Sequence, residues 1–200
     1  MFFDDAKLVS RELELTLTGR DCGQGERAPM CGVPYHSAEG YIAKLVQKGY
    51  KIAICEQMED PKKAKGLVKR EIIRRVTPGT VVEASMLDEN RNNFLGCVYA
   101  AGGSVGVCFA DITTGSVYAT GSDNWNDITS EFGRFAPREV LVGGGAISAD
   151  SLQSFLKERL EALIEPMPEE CFEAQRSAER IQKHFKVQDF DAAGLTDLPC

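Results

Sequence analysis

The chain has 200 residues, 43% of them hydrophobic and 26% charged, with a net charge of -7 at pH 7. That length and balance suit one globular domain or two small ones and exclude a disordered or fibrous chain. No apolar run approaches the roughly 20 residues that span a bilayer, and "MFFDDAKLV" lacks the basic start of a secretory signal.

In chain order, Phe2, Ala6, Val9 and Leu13 recur on one face of a predicted first helix. No capping residue precedes it and its apolar face is open from the first residue, which reads as a chain cut from something longer. "TGRDCGQGERAPMCGVP" is a loop punctuated by Gly and Pro, with a short strand around Met30. Ser37 is placed to cap a second helix, "SAEGYIAKLVQK", with Glu39 in its first turn and Gly49 ending it. "YKIAICE" reads as a strand buried on both faces, and "KREIIRRV" as a strand charged at its edges, closed by a Pro78-Gly79 turn. The first domain is therefore α+β with a small mixed sheet.

After a connector at 81–93, "FLGCVYA", "SVGVCFAD" and "GSVYATG" are separated by short turns and predict an antiparallel meander. Trp125, Ile128, Phe132 and Phe135 mark an amphipathic helix. The strand "EVLVG" follows, then a helix opened by Ser148, a strand "ALIEP", and a helix over "PEECFEAQRSAERIQKHF" with Phe172, Ala178, Ile181 and Phe185 inward. The order βββαβαβα is that of the ribonuclease-H-like architecture, so the class is α/β.

Seven cysteines, irregularly spaced and without a C-x-x-C pair, argue against a disulfide framework or zinc site and for a reducing, cytoplasmic setting. Cys55, Cys97 and Cys108 lie in apolar runs, where a thiol acts as a small hydrophobe. Charge is unevenly divided. Residues 1–80 carry 14 Lys and Arg against 11 Asp and Glu, whereas residues 81–200 carry 9 against 19. Such a split points to two domains with different partners.

Within the first domain, Lys62, Lys63, Lys65, Lys69, Arg70, Arg74 and Arg75 face only Glu71 in sequence. This strip reads either as a phosphate-neutralising surface or as a solvated strand edge that blocks aggregation. Asp111 ends a strand in "FADITTG". It is either one member of a metal-binding carboxylate set, as in ribonuclease-H-like nucleases, or the cap of the turn through Thr113, Thr114 and Gly115. The neighbouring strands offer no second carboxylate beyond Glu139, which favours the cap. His36 reads as a turn residue. "GGGA" at 143–146 lacks the lysine and spacing of a phosphate loop.

Taken together, "FFDDAKLVSRELELTLTGRD", "PMCGVPYHSAEGYIAKLVQKGYKIAICEQMEDP", "KGLVKREIIRRVTPGT" and "FADITTG" resemble the N-terminal part of the MutS family of DNA mismatch-recognition ATPases, over essentially the whole chain. The resemblance implies a mismatch-binding domain at 1–82, a linker at 83–92 and a non-catalytic, C-terminally incomplete connector domain of ribonuclease-H-like fold at 93–200. It implies DNA contacts at Arg20, Met30, Lys65, Arg70 and Arg74. The family's Phe-x-Glu wedge precedes the "FFDDA" helix, and no such motif stands between Met1 and that helix here. ATP and Mg²⁺ are expected of the full-length family and not of these 200 residues. Mismatched double-stranded DNA, MutL and, at full length, a second MutS copy are the implied partners. The alternative is a metal-dependent nuclease centred on Asp111.

Overall fold

The computed structural model describes residues 1–23, 26–60, 68–88 and 90–189. The chain divides into two compact units, Met1–Thr77 and Pro78–Cys200. The stretch expected to be a linker, 83–92, thus falls inside the second unit. No helix among the described residues is long and apolar enough to cross a membrane.

The first unit is built from helices α1 (Phe3–Glu12) and α2 (Ala38–Gln47) and strands β1 (Thr18–Asp21), β2 (Arg27–Met30), β3 (Ile52–Gln57) and β4 (Arg70–Val76). The strands form two separate antiparallel ribbons, β1–β2 and β3–β4, rather than one mixed sheet. A small core gathers Ala6 and Val9 of α1, Cys31, and Leu45 of α2. No side chain caps α1. Its entry is held instead by backbone pairing: the Met1 amine donates to the Cys31 carbonyl at 2.8 Å, Cys31 N–H donates to the Met1 carbonyl at 3.1 Å, and Phe2 bridges Met30.

Ser37 does not cap α2. Its hydroxyl donates to the Pro34 carbonyl and closes the short 3₁₀ turn Tyr35–Ser37, which carries His36. The far end of α2 behaves as expected. Gly49, at φ +84°, donates to the Val46 carbonyl, and Tyr50 N–H reaches the Leu45 carbonyl. These two bonds satisfy carbonyls the helix leaves open, in a backbone conformation that favours glycine. Strand β3 is not buried on both faces: Ile52 and Ile54 are half-buried, whereas Ala53, Cys55 and Gln57 are exposed. A two-stranded ribbon has only one face to turn inward, so Cys55 sits in solvent.

The second unit is a five-stranded mixed sheet in the order β7–β6–β5–β8–β9. Strands β5 (Phe94–Ala101), β6 (Ser104–Asp111) and β7 (Ser116–Ser122) form the antiparallel meander. Helix α3 (Trp125–Phe135) leads to β8 (Glu139–Gly144), which runs parallel to β5. Helix α4 (Asp150–Ser154) leads to β9 (Leu163–Pro166), parallel to β8, and helix α5 (Ala174–Phe185) follows. This is the βββαβαβα order. One face of the sheet, with Val98, Val105, Val107, Phe109, Val140 and Val142, packs against Ile128 and Phe132 of α3, Leu152 of α4 and Leu156. Asn124 caps α3 by accepting from Asn126 N–H.

Three expectations are corrected. Ser148 ends a 3₁₀ turn, and α4 starts two residues later behind Ala149, continuing as a π turn over Phe155–Arg159. Phe172 lies in a 3₁₀ turn before α5 and stacks on Tyr99, with ring centroids 4.8 Å apart. Helix α5 has no fully buried residue, and Phe185 is half-exposed.

Candidate nucleic-acid interface

In the β1–β2 ribbon, Arg20 stands opposite Ala28, and Thr18 opposite Met30. Partners in a ladder share a face, so Arg20 and Met30 are diagonal neighbours on one side, with Cβ atoms within roughly 7–8 Å. Arg20 is exposed and, among the described residues, its guanidinium has no ion-pair partner. Met30 is half-buried, with the Met1–Phe2 segment paired alongside it. Arg27 lies on the other face and donates to the Gly19 carbonyl at 2.8 Å, while Asp21 closes the turn by accepting from Gly23 N–H. The sequence shows this hairpin only as a loop with a short strand around Met30, which is β2; β1 is not legible there. Its first strand has four residues with one glycine, too short for a period to show.

The basic strip is divided by a bulge. In β3–β4 the register runs Gln57↔Arg70, Glu56↔Glu71 and Cys55↔Ile72, then shifts to Ile54↔Arg74, Ala53↔Arg75 and Ile52↔Val76. Ile73 is the extra residue. Because side chains alternate along a strand, Arg70, Ile72 and Arg75 share the exposed face of Ala53, Cys55 and Gln57. Arg74 joins the half-buried face of Ile52 and Ile54. There its guanidinium meets the Glu39 carboxylate of α2 at 3.3 Å. Lys69 is paired with Glu71 at 2.6 Å. Among the described residues, Arg70 and Arg75 carry no ion pair or side-chain hydrogen bond. The fold therefore places Arg70 and Arg74 on opposite faces, and Arg75, outside the expected contact set, on the same face as Arg70 with Ile72 between them. Lys65, with Lys62 and Lys63, lies outside the described residues.

In the second unit, Asp111 is almost wholly buried at the end of β6. One carboxylate oxygen accepts from Thr113 N–H at 2.9 Å, the Thr113 hydroxyl at 2.6 Å and Thr114 N–H at 3.4 Å. The other accepts from the Asn92 amide at 2.9 Å. Burial pulls this carboxyl upward, but the donors of Thr113, Asn92 and Thr114 outweigh it and hold it below the ordinary aspartate range. Such a carboxylate organises a turn. Among the described residues no group of three His, Cys, Asp or Glu side chains is placed to hold a metal ion. Buried Glu139, 4% exposed, instead accepts from Gly79 N–H at 3.0 Å. A Cβ on Gly79 would lie 2.8 Å from that of Glu139, so only glycine fits this approach.

Against this geometry, the sequence model of MutS domain I matches residues 1–85, and that of MutS domain II matches residues 93–199. The chain belongs to the MutS family. It is 49% identical over 189 residues to the DNA mismatch repair protein MutS of Acetivibrio thermocellus, covering 93% of this chain and 22% of that protein. It is 48% identical over 202 residues to that of Ruminiclostridium cellulolyticum, covering 96% and 23%. It is 55% identical over 143 residues to that of Clostridium tetani, covering 71% and 16%. The chain thus spans about a fifth of the length of the curated MutS relatives that it matches most fully. The two MutS domain matches follow the order of the two units described above.

Proposed function

We propose that the first unit contacts duplex DNA for a MutS mismatch repair protein, and that the second unit is a non-catalytic coupling domain. The observation that carries this reading is the shared ribbon face of Arg20 and Met30, a cation without an ion-pair partner among the described residues beside an apolar side chain, next to the segment that enters α1. A guanidinium positions a protein on phosphate without reading sequence, whereas an apolar neighbour suits the groove beside a distorted base step. Arg70 extends the phosphate surface on the outward face of β4. Arg74, tied to Glu39, contributes less.

Mismatched double-stranded DNA is the proposed partner. The acidic second unit is the part that would face protein, with MutL the partner the resemblance implies, and a homodimer is proposed only for the longer protein. Cytoplasmic residence follows from the same reading. ATP and Mg²⁺ are assigned to longer family members. The glycines at 143 and 144 do not fit a phosphate loop: a Cβ at Gly143 would strike Phe172 at 2.1 Å and one at Gly144 the Ala100 carbonyl at 2.4 Å, so these glycines serve packing. No nuclease step is proposed through Asp111, because its oxygens are already committed to Thr113, Thr114 and Asn92.

Fluorescence anisotropy with labelled duplex tests the reading. The 200-residue polypeptide is expected to bind with a Kd of about 10⁻⁴ to 10⁻⁶ M at physiological salt, the range of non-specific contacts. Arg20→Ala weakens binding. Unchanged binding by Arg20→Ala, or DNA cleavage that Asp111→Asn abolishes, contradicts it.

A further inference from the structure

Cys97 of β5 and Cys108 of β6 are direct partners in the antiparallel ladder. The sheet core uses the alternate residues Val98, Val107 and Phe109, so both thiols point to the face opposite α3. The rung type follows from the hairpin. Gly102 and Gly103, at φ +60° and +89°, form a two-residue turn that makes Ala101↔Ser104 a hydrogen-bonded rung. Rungs alternate, so Cys97↔Cys108, four further along, is hydrogen-bonded as well. Opposed Cα atoms at such a rung are about 5.5 Å apart, within the span of roughly 4.4–6.8 Å that a disulfide bridges, while the side chains stand farther apart than at a non-hydrogen-bonded rung, so closure has to draw the two Cβ atoms together. Both thiols are free and half-buried. Their flanking partners are Ala119 of β7 and Leu141 of β8, which offer neither a charge nor a competing ligand.

We propose that Cys97 and Cys108 are a redox modification site that closes to a reversible cross-strand disulfide in exchange with a low-molecular-weight disulfide. One protein thiolate attacks the small disulfide, forming a mixed disulfide and releasing one small thiolate. The second protein thiolate then attacks the protein-side sulfur and releases the other. The protein loses two protons and two electrons, and the small disulfide becomes two thiols. Reaction is slow at neutral pH: burial, with a smaller push from Cys108, raises the Cys97 thiol to about 12, and burial raises Cys108 too. The exposed Cys22, Cys55 and Cys171 react first. A bridge between positions 97 and 108 closes a short loop in the unfolded chain, so closure is expected to raise the thermal midpoint of the oxidised form above that of the reduced one. The inference is independent of the DNA reading.

The test equilibrates the full chain with oxidised glutathione, alkylates the remaining thiols in acid-quenched denatured protein, and maps peptides by mass spectrometry. The expected product joins Cys97 to Cys108, lacks two hydrogens and reopens with dithiothreitol. In Cys97→Ser, Cys108 stays free or carries one glutathione. If that variant does not fold, the map of the unsubstituted chain decides alone. The proposal is overturned if Cys97 and Cys108 stay free, or each carries its own glutathione, once Cys22, Cys55 and Cys171 have all reacted.

Discussion

The two units solve the burial problem differently. The second closes a five-stranded sheet over a core that includes Phe109, Ile128, Phe132, Leu152 and Leu156, all nearly inaccessible. The first has a small core at Ala6, Val9, Cys31 and Leu45, and leaves Ile72 and Ile73 of β4 about half-exposed. A continuous sheet gives each strand a fixed inner face. Two ribbons spread the chain into surface instead, which suits the contact role proposed for this unit.

The largest expected effect sharpens this contrast. Phe132→Ala removes a fully buried ring that meets Phe109 edge-on at 5.2 Å, and should destabilise the second unit by about 3–5 kcal/mol. Leu45→Ala in the smaller core should cost the first unit about 2 kcal/mol, the low end for such a truncation. Urea unfolding of both variants makes the comparison, and equal losses would break it. Gly79→Ala, forced against Glu139, is expected to cost about 1–3 kcal/mol in the same assay.

Asp111→Asn comes next, at about 1–2 kcal/mol at neutral pH, because the amide keeps one acceptor but presents a donor to Thr113 or Asn92. The wild-type carboxyl lies below its unfolded value. Its stabilisation is therefore complete above about pH 4 and is lost as pH falls through the folded value. Stability against pH should drop in that acid window for the wild type and be flatter for Asp111→Asn. Equal acid slopes would mean that the turn does not depend on the charge. The smallest effect is on the Arg74–Glu39 pair, whose partners are partly exposed. Glu39→Gln should change stability by less than about 1 kcal/mol.

Much of the second unit is legible in sequence because its strands alternate against a real core. Val105, Val107, Phe109 and Asp111 are buried in strict period, and Ile128 and Phe132 recur at helical spacing. The first unit is harder to read. "YKIAICE" has the apolar run of a buried strand, yet a ribbon lacks a second layer to cover Ala53 and Cys55. The bulge at Ile73 is invisible in the residue string, and it takes Arg74 off the face of Arg70 and brings Arg75 onto it. Charge density along the sequence marks the strip from Lys62 to Arg75 but cannot assign its residues to faces, and Arg20 and Met30 stand out only through the family resemblance. Phe172 and Phe185 show the same limit from the other side: apolar spacing over 168–185 predicts an inward face that α5 does not bury.

The outward arginines of the first unit are proposed to hold duplex DNA by its phosphates. The most direct measurement is the salt dependence of binding, by anisotropy, for the wild type and the Arg20→Ala/Arg70→Ala double variant on a matched and a G·T duplex. The variant is expected to bind both duplexes more weakly, with a log–log salt slope shallower by up to about one unit per arginine removed. The wild-type polypeptide is expected to bind both duplexes alike. An unchanged slope in the double variant, or a tenfold wild-type preference for the mismatch that both substitutions leave intact, would contradict this reading.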